Sequence, residues 1–164
     1  MNDFDIQGDD AIDNMDFAGV ADLPENVLAF DGKLAVNLSL SYKHTPIEKE
    51  GDKEKKTLTV SCEVISVVES TNEEFALPKK DSRMQFYFGL MKKDETQAHS
   101  RGASAFKPHA IALAKALNIS PTMETLLEKV KDVKAIVTVR TKKDEKYGNE
   151  AGYRVELEKI EFPA

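Results

Sequence analysis

A single cysteine in 164 residues, Cys62, excludes an internal disulfide and any metal site built from several thiolates. It falls on the apolar phase of a strand-like run, where a free cysteine packs as a small hydrophobe. The three histidines, His44, His99 and His109, lack the i, i+4 spacing of a zinc helix, and with no companion ligands each reads as a surface residue. The eight glycines are scattered singly, so no phosphate-cradling glycine loop is present. No nucleophile has a base marked out beside it, and the abundant carboxylates single out no set of metal ligands. The expectation is a protein that is not an enzyme and needs neither cofactor nor metal. No apolar run approaches the roughly 18 residues that span a bilayer. The N-terminal MNDFDIQGDD is acidic where a signal peptide needs a positive and then an apolar segment. A cytoplasmic location without membrane contact is expected.

Bases are absent from the first 31 residues, which hold nine acids. The rest of the chain carries 23 bases and 20 acids, so a net charge of −6 divides into an acidic arm and a body of +3. Such a split points to nucleic-acid partners and acidic tails. Residues 1–24 keep neither a helical nor a strand period, and Phe4, Ile6, Ile12, Met15 and Phe17 punctuate the acids. Apolar anchors in a negative arm suit docking into a basic, partly apolar groove. Phe4, Asp9, Asp10, Asp13, Asp16 and Phe17 are therefore candidate partner-binding residues. They could equally pack back on the body.

The remaining chain, residues 25–164, reads as one domain. Leu34, Val36, Leu38, Leu40 and Tyr42 alternate with polar or small residues, a period of two. Residues 43–56 form a polar loop with Pro46 and Gly51. Leu58, Val60, Cys62 and Val64 alternate again, and the phase slips at Val64 and Ile65, which predicts a bulge. Met84, Phe86, Phe88 and Leu90 mark a third strand, with Arg83, Gln85 and Tyr87 on its other face. Phe106, Ala110, Leu113, Ala114 and Leu117 recur at helical spacing, with Pro108 placed in the first turn and Asn118 at the end. Ser120 and Pro121 predict the cap and first position of a second helix reaching about Val130. Two more strands follow, one through Val133, Ala135, Val137 and Val139 and one from Tyr153 to about Phe162, joined by the hairpin KKDEKYGN. Three strands, a helical connection and two strands is the order of an OB-fold, so the expected class is mainly β, a partly open barrel.

The hairpin gathers Lys142, Lys143, Lys146 and Tyr147 between Arg140 and the pair Tyr153 and Arg154. Cations track phosphates while an aromatic face stacks on any base. This loop and the one after the first strand, where Lys43 stands, line the ligand cleft of OB-folds. Residues 79–107 carry seven bases against three acids, among them Arg83, Lys92, Lys93 and Arg101, with Tyr87 on the polar face of the third strand. A lysine-rich hairpin also serves as a plain solvated turn, and edge lysines deter aggregation.

Residues 24–162 resemble the bacteriophage-encoded single-stranded-DNA-binding proteins. The likeness rests on the EVISV segment at 63–67, the helix HAIALAKALNI and above all VKAIVTVRTKKDEKYGNEAGYRVELEKI at 133–160. The resemblance implies an OB-fold that coats single-stranded DNA, or RNA, in phage replication, recombination or repair, in the host-cell cytoplasm. It implies replication or recombination partners recruited through the acidic arm, and a homo-oligomer is open. Many such proteins carry the acidic tail at the C-terminus, whereas the acids of this chain are N-terminal. The competing expectation is an acidic DNA mimic that occupies a nucleic-acid enzyme; the basic body argues against it.

Overall fold

The computed structural model describes residues 13–20, 23–46, 55–90, 96 and 99–163. Phe4, Asp9, Asp10, Lys92 and Lys93 lie outside the described residues. Alternating burial produces two long strands, β1 (Gly32–Thr45) and β2 (Lys55–Ser70), in which Leu34, Val36, Leu38, Leu58, Val60, Cys62 and Val64 all point into the core. They are joined by β3 (Arg83–Gly89), β4 (Val133–Lys143) and β5 (Tyr153–Glu161). Every pairing is antiparallel and the sheet order is β3-β2-β1-β4-β5. The fold is mainly β and OB-like, with the expected order of three strands, helices and two strands. The sheet is rolled without closing, since β3 and β5 form its two edges.

Bulges supply the curvature. Opposite Ala35 and Val36 the partner positions are Ser66 and Val64, so Ile65 is the extra residue, where the phase of the sequence slips. Val68 is skipped in the same strand, and Glu158 in β5. Each insertion increases local twist and bends the strand around the core.

The helical connection is α1 (Arg101–Leu117) and α2 (Met123–Lys129). The predicted face of α1 is buried, and Asn118 ends it in the left-handed conformation at φ 55°. Its start differs from expectation. The Ser100 side chain accepts from the Ala103 N–H at 3.3 Å, so the helix begins at Arg101 and Pro108 lies inside it. An interior proline costs about 3 kcal/mol; burial of Phe106, Leu113 and Ala114 around it offsets that cost. Gly102 permits the close approach of α1 to β3, because a Cβ there would collide with the Gly89 carbonyl oxygen. The cap of α2 is Thr122 rather than Ser120, its hydroxyl accepting from the Thr125 N–H at 3.4 Å. The polar loop after β1 is also shorter than expected, because the strands run on to Thr45 and resume at Lys55.

The segment before β1 belongs to the body. The Arg83 N–H donates to the Glu25 carbonyl at 2.8 Å and the Val27 N–H donates to the Arg83 carbonyl at 2.9 Å, a parallel bridge at the start of β3. Phe30 is fully buried, and its N–H donates to Thr141 Oγ1 at 2.8 Å. Asp31 Oδ1 accepts from the Thr141 N–H at 2.6 Å. Residues 13–20 are all exposed, so Met15 and Phe17 do not pack back on the body. Among the described residues no helix is long and apolar enough to cross a membrane.

Candidate nucleic-acid interface

A groove of about 910 Å³ runs between the edge strands β3 and β5, floored in part by α1. Tyr87, Arg83, Arg101, Tyr147, Tyr153 and Arg154 all line it. Residues far apart in the chain therefore converge because the rolled sheet brings its two edges toward each other.

Tyr147 stands at the tip of the β4–β5 hairpin, 76% exposed. Asp144 builds that tip: its Oδ1 accepts from the Tyr147 N–H at 2.8 Å and its carbonyl from the Gly148 N–H at 2.9 Å. Asn149 anchors it, with Nδ2 donating to the Leu28 carbonyl at 2.6 Å and Oδ1 accepting from the Tyr153 N–H at 3.1 Å. The Lys146 ammonium lies 5.0 Å from the centre of the Tyr147 ring, a cation–π arrangement. Asp144 and Asn149 as positioning residues were missed in the sequence; an Asp three residues before an exposed aromatic is the turn signal that marks one of them.

Tyr87 is 65% exposed on the outer face of β3. Its hydroxyl donates to Gln85 Oε1 at 2.6 Å, which tethers the tip of the ring along the strand. The register continues this face across three strands as Ser41, Thr59 and Tyr87 in one row and Ser39, Ser61 and Gln85 in the next. Short hydroxyl side chains make a shallow floor beside a tall ring, with donors and acceptors spread over it. In the sequence these serines and threonines stand out only as the polar phase of strands. Their signal is the recurrence of small hydroxyls at period two in two paired strands.

Charge is distributed differently from expectation. Arg140 pairs with Glu158 at 3.2 Å, Lys142 with Glu156 at 3.0 Å, and Arg154 with Glu156 at 3.0 Å and Asp144 at 3.8 Å. Three cations thus face three acids along β4 and β5. Among the described residues, Lys143 and Lys146 make no ion pair, and neither do Glu145 and Glu150, so the hairpin offers two unengaged cations without a net positive charge. Exposed pairs of this kind contribute only about 0–1 kcal/mol each, so a phosphate can exchange for a carboxylate at little cost. Tyr153 is half-buried with its ring edge-on to Phe75, centroids 5.5 Å apart, which makes it a support for the groove wall. Lys43 stands apart from the hairpin cations, at the opposite end of β1; it pairs with Thr57 in the row next to Ser41, Thr59 and Tyr87, on the same face.

Comparison with known families, curated proteins and solved structures finds no match to this chain.

His109 corrects the expectation of three surface histidines. It is buried between Phe88 and Phe106 at the base of the groove. Desolvation lowers its pKa from the usual 6.5, and a hydrogen bond to the backbone of Leu157 works in the other direction. The neutral ring joins α1 to the edge of β5. Cys62 is buried as expected, and burial pushes its thiol up to about 12, which keeps it protonated and unreactive. Among the described residues no group of three or more His, Cys, Asp or Glu could hold a metal ion.

Proposed function

We propose that this protein binds single-stranded nucleic acid, DNA in the first instance, with little sequence preference and without catalysis. The observation that carries the reading is the pair of exposed rings, Tyr87 and Tyr147, lining one groove together with Arg83 and Arg154. Exposed tyrosines contribute little to the core, whereas each supplies a face on which any base stacks for about 1–3 kcal/mol. Unstacked bases would lie on Tyr147 and Tyr87, and the phosphates would pass Lys143, Lys146 and Arg83. The hydroxyl floor of β1 and β2 would take sugar or phosphate oxygens. The open edge between β3 and β5 leaves room for a flexible strand, and among the described residues no helix presents a face suited to a major groove. The resemblance to phage single-stranded-DNA-binding proteins extends the reading to replication, recombination or repair in the host-cell cytoplasm, with partner proteins held by the acidic arm.

Fluorescence anisotropy with a labelled single-stranded oligonucleotide tests it. Tyr87→Ala and Tyr147→Ala should each weaken binding by about 1–3 kcal/mol while leaving the salt dependence unchanged. Parental affinity in both variants, with circular dichroism showing them folded, would remove the groove from the account.

A further inference from the structure

A second groove, of about 800 Å³, lies on the other side of α1, between that helix, α2 and the far end of the β1–β2 ribbon. Its walls include Tyr42, Ile111 and Met123, which are 41%, 48% and 36% exposed, over a floor of Phe106, Ala110 and Leu126. Lys107 stands among its lining residues, so the apolar surface carries positive charge at its rim. An exposed apolar cluster beside charge marks an interaction site.

The chain holds a segment of matching chemistry. In the arm, the Asp16 side chain accepts from the Ala18 N–H at 3.0 Å and caps a short turn, Phe17–Gly19. The turn presents Met15 and Phe17, 50% and 81% exposed, flanked by Asp13 and Asp16. Apolar side chains set among acids complement an apolar groove with Lys107 at its rim. We propose that the groove receives residues 13–20 of a second copy of this chain, with Met15 and Phe17 inserted beside Ile111 and Met123.

Reach favours a second copy over the same one. The arm joins the body where the Glu25 carbonyl bonds Arg83, at one end of β3. Leu90, on the groove wall, is seven residues farther along, about 23 Å at the rise of a strand. Val20 precedes Glu25 by five residues, at most about 18 Å of chain. The turn adds only about 2 Å per residue. A copy's own Phe17 thus arrives at the rim only with the chain pulled straight, before it has rounded the barrel. The arm of a neighbour has no such limit. Because the donor and acceptor patches differ, the contact is heterologous and propagates from copy to copy.

The inference is independent of nucleic-acid binding and is measured without nucleic acid. Sedimentation of the full chain should show a mass that rises with protein concentration and falls with salt as the charges are screened. Phe17→Ser spoils only the arm and Ile111→Glu spoils only the groove; each alone should lose self-association. Mixed together, the two variants retain one good arm and one good groove, and should form a species of twice the monomer mass that grows no further. Met123→Glu replaces Ile111→Glu if circular dichroism shows the latter unfolded. A full chain that is monomeric at every concentration overturns the proposal. So does a mixture that stays monomeric, or a Phe17→Ser variant that associates like the parent.

Discussion

Glu156→Gln should tighten binding to single strands, although it touches neither tyrosine. The Glu156 carboxylate holds Lys142 at 3.0 Å through one oxygen and Arg154 at 3.0 Å through the other. Removing its charge while keeping its shape frees Lys142 beside the groove and leaves Arg154, on the groove wall, only its longer 3.8 Å pair with Asp144. Each exposed pair is worth less than about 1 kcal/mol, so the loss of stability is small. If one freed cation gains one phosphate, the log–log salt slope steepens by about 0.7. The same relation makes the gain in affinity about 8-fold near 50 mM salt and about 3-fold near 200 mM. Glu161→Gln is the control. It removes the same charge from a carboxylate paired with Lys159 at 2.9 Å, at the other end of β5 from the hairpin. Anisotropy titrations of both variants across a salt series separate local release from net charge. Equal gains in the two would show that only overall charge matters, and no gain in Glu156→Gln would show that phosphates do not reach the ladder.

Two further outcomes follow from the fold. His109 has a lowered pKa through burial, so the unfolded chain binds its proton more readily than the folded one, and stability present above about pH 6.5 is lost as pH falls below it. Denaturant midpoints at about pH 7.5 and about pH 5.5 should differ less for His109→Asn than for the parent; an equal difference would place the pH dependence elsewhere. Removing residues 1–22 takes seven acids and stops short of the bonds at Glu25 and Phe30. If the arm competes for the groove, single-strand affinity rises, most at low salt, and unchanged affinity shows that the arm does not reach it.

Much of the sheet was legible because one buried face imposes a period of two. Leu34 to Leu40 and Leu58 to Val64 alternate without interruption, and the slip at Ile65 is visible because a bulge shifts every later side chain to the other face. The start of α1 was hidden, since Pro108 is a strong local signal and the cap at Ser100 a weak one. The burial of His109 depends on Phe88 and Leu157, from two other elements, and no local pattern reports that. The tyrosines and lysines of the hairpin were legible as types. The ion pairing of Lys142 and Arg140 was not, because their diagonal contacts with Glu156 and Glu158 require the β4–β5 register with its bulge at Glu158. Residues 25–31 read as part of the body, but what they hold there was hidden, because Asp31 bonds the backbone of Thr141, a residue more than a hundred positions away.

The central claim is tested most directly by the relative affinity for single-stranded and duplex DNA of the same sequence, measured at two salt concentrations. Stacking on Tyr87 and Tyr147 requires bases that are free of partners, so the account predicts tighter binding to the single strand at both. It also predicts little change when the sequence of the strand is scrambled. Duplex binding as tight as single-strand binding, or no binding at low salt, would contradict it, and the second result would turn attention to the acidic arm as a mimic of DNA.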